Sequence, residues 1–240
     1  MYLPTISSFL FDNRPIIMYN THDMIKNLIL SLFILLNTGG LVDPSFLLEQ
    51  KETTLVSHTI SLENRYPVES VSKVFKDNIL LNMAYLDGRV NSAEDIDWTE
   101  IQNSFRSEFT LQPNETFAYH DAVLPEYENQ VVKTTEAHFN YADGFKTDGY
   151  LYGDGVCHLA SLINWAAKDA GLEVEAPTNH NFANIPEIPK EYGVAIYYNP
   201  NNKSVGAREN LYITNNQTKP VTFVFNYQDG NLSVSVTTQA

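Results

Sequence analysis

The segment GDGVCHLAS, residues 153–161, contains the single cysteine of the 240-residue chain. Its two glycines favour a tight turn, and Cys157 then falls at the start of an apolar pattern with helical spacing. Unpaired N–H groups and the positive end of the helix dipole stabilise a thiolate there, which lowers the pKa of the thiol. A thiolate near neutral pH is a strong nucleophile. The pattern therefore predicts a nucleophile at Cys157.

A thiol nucleophile needs a base, and the sequence offers His180, which follows the predicted helix after EVEAPTN, at the start of the next extended segment. A cysteine at a helix start with a histidine on a neighbouring strand is analogous in geometry to the arrangement in papain-like and transglutaminase-like enzymes. We therefore predict Cys157 and His180 as the catalytic pair. The candidates for a third member that orients the imidazole are Glu209, Asn210, Asn215, Asp154 and Asp121.

Further residues are predicted to line the same site. The main-chain N–H groups of Cys157 and His158 are placed to bind an oxyanion at the helix start. Ser161 lies one turn further along, where its hydroxyl either faces the site or bonds back to a helix carbonyl. The full set of predicted lining residues is Gly155, His158, Ser161, Asn179 and His120.

A structural role is the alternative for both members of the pair. Free cysteine is among the most buried residue types, and His180 would then be a core imidazole bonded to a loop carbonyl. The histidines of the chain lack the close spacing of a metal-binding motif, so we predict neither a metal site nor another cofactor.

The elements around this motif indicate an α+β fold, with a helix-rich middle and a motif helix packed on a mostly antiparallel C-terminal sheet. Helical spacing predicts one helix over 70–86, with Ser70 as its N-cap and Gly88 as its stop. The motif helix ends at Gly171. Four strand-like segments follow, and Asp229-Gly230 predicts a hairpin between the last two. The four segments are GVAIYY, NLYIT, PVTFVFNY and NLSVSVTT.

Composition excludes several classes of function. The net charge is -14, from 29 acidic and 15 basic residues, and such a surface repels a phosphate backbone, so we predict no nucleic-acid partner. A single cysteine excludes an internal disulfide and any multi-cysteine metal centre.

The segment MIKNLILSLFILLNTGGLVDPSF, which starts at Met24, resembles an export signal. Its apolar run, residues 28–36, is short for a transmembrane helix, which needs about 20 apolar residues, and fits the hydrophobic part of a signal peptide. We expect export or membrane attachment through this segment; a buried or amphipathic helix is the alternative. The predicted organisation is an N-terminal extension (1–42), a linker and helical subregion (43–104) and an α+β domain (105–240).

The stretch from Gly153 to Phe182 resembles the central motif of VanW-like proteins: a glycine-rich turn, Val-Cys, a serine, a helix ending in Ala-Gly-Leu, and an Asn-His pair. The segment NLYITNNQTKPVTFVF is similar to the family's strand–Asn–Asn–strand segment, and the resemblance covers roughly 105–236. The chain departs from the family at His158, where Gln is usual, and at Thr178, where a histidine often stands.

The resemblance implies a location at the bacterial cell envelope and an association with glycopeptide resistance. It assigns no reaction, so two functions remain. The first is a thiol enzyme that acts on peptide or peptidoglycan amide bonds, by hydrolysis or by transfer. The second is a non-catalytic envelope module that binds peptidoglycan or a peptide in the same cleft.

Overall fold

A computed structural model of the chain describes residues 52–149 and 153–240. The signal-like segment that starts at Met24 lies outside these ranges. No helix within them has the length and apolar character needed to cross a membrane.

The described residues form two four-stranded sheets with helices packed beside them. The strands are β1 (Glu52–Ser61), β2 (Phe105–Leu111), β3 (Thr116–Ala118), β4 (Val131–Lys133), β5 (Glu173–Glu175), β6 (Tyr212–Thr214), β7 (Val221–Gln228) and β8 (Asn231–Gln239). The α-helices are α1 (Glu69–Leu86), α2 (Trp98–Ile101), α3 (Val156–Asp169) and α4 (Lys203–Arg208).

The larger sheet is antiparallel, with the strand order β1-β8-β7-β2. Alternate residues of β7 are buried, among them Phe223 and Phe225, because a strand presents every second side chain to the core. Asp229 and Gly230 connect β7 to β8 with φ angles of +51° and +76°. Positive φ at both central residues matches the twist of a hairpin, and the predicted hairpin is confirmed.

The smaller sheet has the order β4-β3-β6-β5, and only β3 and β4 run parallel. Phe109 of the larger sheet stacks on Phe223 and on Phe117 of the smaller sheet, with ring centroids 5.0 Å apart in both pairs. The two sheets therefore share one aromatic core. Since α3 also packs on β1 and β8, the predicted α+β fold is confirmed.

Helix α3 is bounded by glycines at both ends. Gly155 precedes its first residue with a φ of +102°, and Gly171 follows its end with a φ of +75°. The N–H of Leu172 donates to the carbonyl of Ala167 at 3.0 Å, and that of Gly171 donates to Lys168 at 3.0 Å. This pair of bonds is a Schellman motif, which satisfies carbonyls at the helix end and confirms the predicted stop.

Helix α1 also lies where the sequence predicts it, but it begins earlier. Its N-cap is Val68, whose carbonyl accepts the N–H of Ser72 at 2.8 Å, so the prediction of Ser70 as the cap is wrong. Gly88, with a φ of +78°, follows the helix and leaves the chain free to turn away.

The segment GVAIYY, residues 193–198, is not the strand that we predicted. It forms one isolated bridge, between Asn179 and Val194. Its donors are used otherwise: the N–H of Val194 bonds to the hydroxyl of Ser161 at 2.9 Å, and the N–H of Ile196 bonds to the sulfur of Cys157 at 3.4 Å. Side chains of α3 thus take the place of a partner strand.

Candidate functional site

The turn before α3 is fastened to α1 by a buried amide. The side chain of Asn78 donates to the carbonyls of Lys146 at 3.0 Å and Asp154 at 2.9 Å, and accepts the N–H of Lys146 at 2.8 Å. Gly155 then passes so close to α1 that a Cβ on it would lie 2.6 Å from the carbonyl oxygen of Phe75. This contact and its positive φ both require glycine at this position.

Cys157 lies in the first turn of α3 and is partly buried. Its sulfur accepts the N–H of Ile196 at 3.4 Å, and its S–H donates to the carbonyl of Ile196 at 3.8 Å. Burial raises the pKa of the thiol to about 11, against the lowering effect of the Ile196 N–H. The prediction of a lowered pKa is therefore wrong, because loss of hydration outweighs the helix start.

His180 is buried, and its imidazole is held by a carbonyl group. The Nδ1 atom donates to the carbonyl of Ala183 at 3.2 Å, which leaves the lone pair of the neutral ring on Nε2. Burial lowers the pKa of this imidazole, so the ring is neutral near pH 7. None of the five candidates for a third member is its ring partner, since that bond goes to Ala183.

Cys157 and His180 line the same cleft, which has a volume of about 530 Å³. The hydrogen bonds of the thiol go to Ile196 and those of His180 go to the main chain, so no hydrogen bond joins the pair within the described residues. The predicted nucleophile and base therefore line one cleft without a bond between them, and their catalytic roles stay a prediction.

His158, where the family usually has Gln, also lines this cleft and is buried. Burial, with smaller effects from the charge of Arg65 and from His180, lowers the pKa of His158 to about 3. Its ring packs on Phe75 with centroids 5.0 Å apart and meets His180 edge-on at 6.4 Å. Its Nδ1 atom is buried and has no hydrogen-bond partner. The main-chain N–H of His158 donates to Gly155 at 3.0 Å, so it is not available to an oxyanion.

Of the other predicted lining residues, Gly155 faces the cleft and three lie outside its walls. Ser161 is buried and donates to the carbonyl of Cys157 at 2.7 Å, which is the back-bonding alternative. Asn179 is exposed. His120 is buried, donates from Nε2 to the carbonyl of Glu209 at 3.1 Å, and has a pKa lowered by burial to about 4. No group of His, Cys, Asp and Glu in the described ranges is arranged to hold a metal ion.

Arg65 is one of several residues of the cleft wall that the sequence does not single out. Its guanidinium is fully buried, donates to the carbonyl of Pro186 at 3.1 Å and pairs with the carboxylate of Glu187. It stands in the segment ENRYP, which carries no motif, and its partners lie more than 120 positions away. Only the tertiary structure identifies it as part of the site.

The rim of the cleft is aromatic and open to solvent. Phe182, Tyr197 and Tyr66 line it with exposed fractions of 77%, 52% and 47%. Phe182 also lies against the ring of His180, with centroids 4.0 Å apart. Large exposed aromatic side chains gathered at one concave surface are typical of a binding site.

Comparison with known proteins identifies the family. The family model described as "VanW like protein" matches residues 101–237, which is more than half of the chain and includes the turn, α3, the strands from β2 to β7 and most of β8. No curated protein and no solved structure matches the chain. The resemblance seen in the sequence is confirmed, and the chain belongs to the VanW-like protein family.

Proposed function

We propose that this VanW-like protein binds a peptide, free or as the stem of peptidoglycan, in the aromatic cleft. The observation that carries the proposal is the set of three exposed aromatic side chains, Phe182, Tyr197 and Tyr66, around one cleft of about 530 Å³. Such rings provide large apolar contact area at a small cost in conformational entropy, which suits the binding of a peptide backbone or a sugar face.

The state of Cys157 favours binding over catalysis. A thiol with a pKa of about 11 is almost entirely protonated at neutral pH, and its sulfur already exchanges two hydrogen bonds with Ile196. A cysteine nucleophile needs the opposite environment, one that lowers its pKa. Cys157 and Ser161 accept the N–H groups of Ile196 and Val194 and so hold the segment that leads into Ile196, Tyr197 and Tyr198 of the cleft wall, which accounts for both side chains without catalysis.

A thiol enzyme is the second candidate, because Cys157 and His180 line the same cleft. In this function Nε2 of His180 takes the thiol proton, and the thiolate attacks an amide carbonyl. The tetrahedral intermediate then expels the amine, which takes the proton from the imidazolium. Water or a second amine releases the acyl group from the sulfur. Before it reacts, the thiol must break its two hydrogen bonds with the main chain of Ile196.

Pull-down on purified peptidoglycan sacculi tests the binding function. Phe182→Ala and Tyr197→Ala are expected to weaken retention, whereas Tyr141→Ala, at an aromatic residue that is 76% exposed and does not line the cleft, is the matched control. Retention of the wild type at background level would contradict the proposal.

Cys157→Ala separates the two functions. If the protein is a binding module, the Cys157→Ala variant is retained on peptidoglycan sacculi as the wild type is. If it is an enzyme, the wild type either exposes new amino groups by hydrolysis or transfers an acyl group from one stem peptide to an amine of another, and Cys157→Ala abolishes this change. Mass spectrometry of the digested sacculi measures it. The absence of any change with the wild type would remove the second candidate.

The envelope location is part of the proposal and is supported by the signal-like segment and by the family's association. We expect the chain to be exported or held at the membrane by residues 24–46. Fractionation of cells that express the full chain, with and without that segment, measures this. Equal amounts in the cytoplasm for both forms would contradict it.

A further inference from the structure

We propose that Arg65 recognises a carboxylate group of the bound peptide and that Glu187 competes with the peptide for this guanidinium. The inference deepens the proposed function, because it names the chemical class of ligand that the cleft selects. It is carried by two buried nitrogen atoms without partners and by the way in which Glu187 is held.

The Arg65 side chain is wholly buried in the cleft wall, yet its donors are not all used. Two terminal N–H groups bond to Pro186 and Glu187, while Nε has no hydrogen-bond partner. Buried polar groups are almost always satisfied, and a buried guanidinium with a free donor is costly. The missing partner is an acceptor, and a carboxylate matches the fork of a guanidinium with two parallel bonds.

His158 contributes the second unpartnered atom, Nδ1. The side chains of Arg65 and His158 line the same cleft, and burial keeps the imidazole neutral near pH 7. A neutral imidazole protonated on Nδ1 is a donor, and the cleft then has one unpartnered N–H group on each of these two side chains. A carboxylate, which only accepts, satisfies both donors, whereas the NH₂ of an amide would oppose them.

Glu187 forms the ion pair with Arg65, and three features of Glu187 make this ion pair easy to displace. Its side chain is 48% exposed, so the released carboxylate is readily hydrated, and its backbone has a φ of +66°, a region that side chains disfavour. Its other contact is the N–H of Ser61 at 2.9 Å. An incoming carboxylate therefore meets an exposed competitor on a strained segment.

The carboxylate can come from the C-terminus of a peptide or from an acidic side chain, and three probes separate these sources. They are N-acetyl-Ala-Ala with a free carboxylate, the same dipeptide as its C-terminal amide, and N-acetyl-Ala-Glu amide. Calorimetry with the full chain measures the affinity of each. We expect the free-carboxylate dipeptide to bind on the order of tenfold more tightly than its amide, as for a hydrogen bond to a charged group. Comparably tight binding of N-acetyl-Ala-Glu amide would identify an acidic side chain as a source of the carboxylate.

Glu187→Gln removes the competitor and is expected to tighten binding of the carboxylate probe about tenfold, with little change for the amide. Glu63→Gln is the matched control, because Glu63 forms a similar ion pair with Lys76 outside the cleft lining. Arg65→Lys keeps the charge but loses the fork, and it is expected to lose the preference for the carboxylate. If the Arg65→Lys variant fails to fold, the affinities of the Glu187→Gln variant for the carboxylate and amide probes still test the inference.

Equal affinities for the carboxylate and amide dipeptides would overturn the inference, and so would no binding of any probe. Weaker carboxylate binding by Glu187→Gln would also overturn it, because Glu187 would then be part of the site and not its competitor. The sacculus pull-down is independent of these results. The proposed binding function survives if sacculi are still retained through Phe182 and Tyr197, and fails only if they are not.

Discussion

The Cys157 thiol is expected to react with iodoacetamide at pH 8 about tenfold more slowly than an unperturbed cysteine. Burial raises its pKa from 9.0 to about 11, which lowers the thiolate fraction at pH 8 by about 100-fold. A thiolate of higher pKa is intrinsically more nucleophilic, and a Brønsted slope of about 0.4–0.5 returns roughly six- to tenfold over this interval. The ratio of these two factors gives the expected reduction in rate of about tenfold.

The intact mass of the protein, followed with time between pH 6 and pH 10, measures this rate. The chain has one cysteine, so each alkyl group added to sulfur reports Cys157. The same chain unfolded in guanidinium chloride is the control for an unperturbed thiol. We expect the rate in the folded protein to rise about tenfold per pH unit up to pH 10, without a plateau.

A plateau in the alkylation rate below about pH 8 would refute the reasoning, because it would mean that the sulfur is already a thiolate at neutral pH. If His180→Gln then abolished the plateau, the imidazole would be stabilising the thiolate, and the thiol enzyme would become the better function. Alkylation faster than in the unfolded chain would refute it equally.

The other predictions concern stability. The folded pKa of His158, about 3, lies below its ordinary value, so the stability that this group contributes is present above about pH 6.5 and is lost as the pH falls. Between pH 7.5 and pH 5 its share is about 2 kcal/mol, and urea unfolding of His158→Gln should show a correspondingly smaller loss. Gly155→Ala should lower the free energy of unfolding by more than about 2 kcal/mol, and Gly88→Ala, with positive φ but open space, by about 1 kcal/mol; equal losses would disprove the steric contact. Ser161→Ala leaves the buried N–H of Val194 without its acceptor, which should lower the free energy of unfolding by about 1–3 kcal/mol. Hydrogen exchange at Val194 should accelerate.

The features that the sequence predicts correctly are those with local causes. The glycine at 171 ends α3 because a left-handed residue closes the last helical turn, whatever the helix packs against. Asp229-Gly230 predicts its hairpin for the same reason, since the two residues alone set the twist. Cys157 and His180 line one cleft, but the catalytic roles that the sequence assigns to them stay a prediction.

The features that the sequence does not predict depend on contacts between residues far apart in the chain. The pKa of Cys157 depends on burial and on Ile196, 39 positions away, while the helix start is visible in the local sequence. GVAIYY has the composition of a strand, but the N–H groups of Val194 and Ile196 bond to the side chains of Ser161 and Cys157 and not to a neighbouring strand. Arg65 becomes part of the cleft only through Pro186 and Glu187, and no local pattern encodes that contact.

The pairing of β1 with β8 has a consequence for the order of folding. Glu52 lies opposite Gln239, so the edge of the larger sheet closes only after nearly all of the described chain has been synthesised. Long-range pairing of this kind is slow, and until it occurs β8 and the face of α3 that contacts β1 stay uncovered. A fragment limited to the family match, 101–237, would keep β8 with an open edge and is expected to self-associate. The stretch that the family model matches is therefore shorter than the larger sheet requires, because β1 lies outside it.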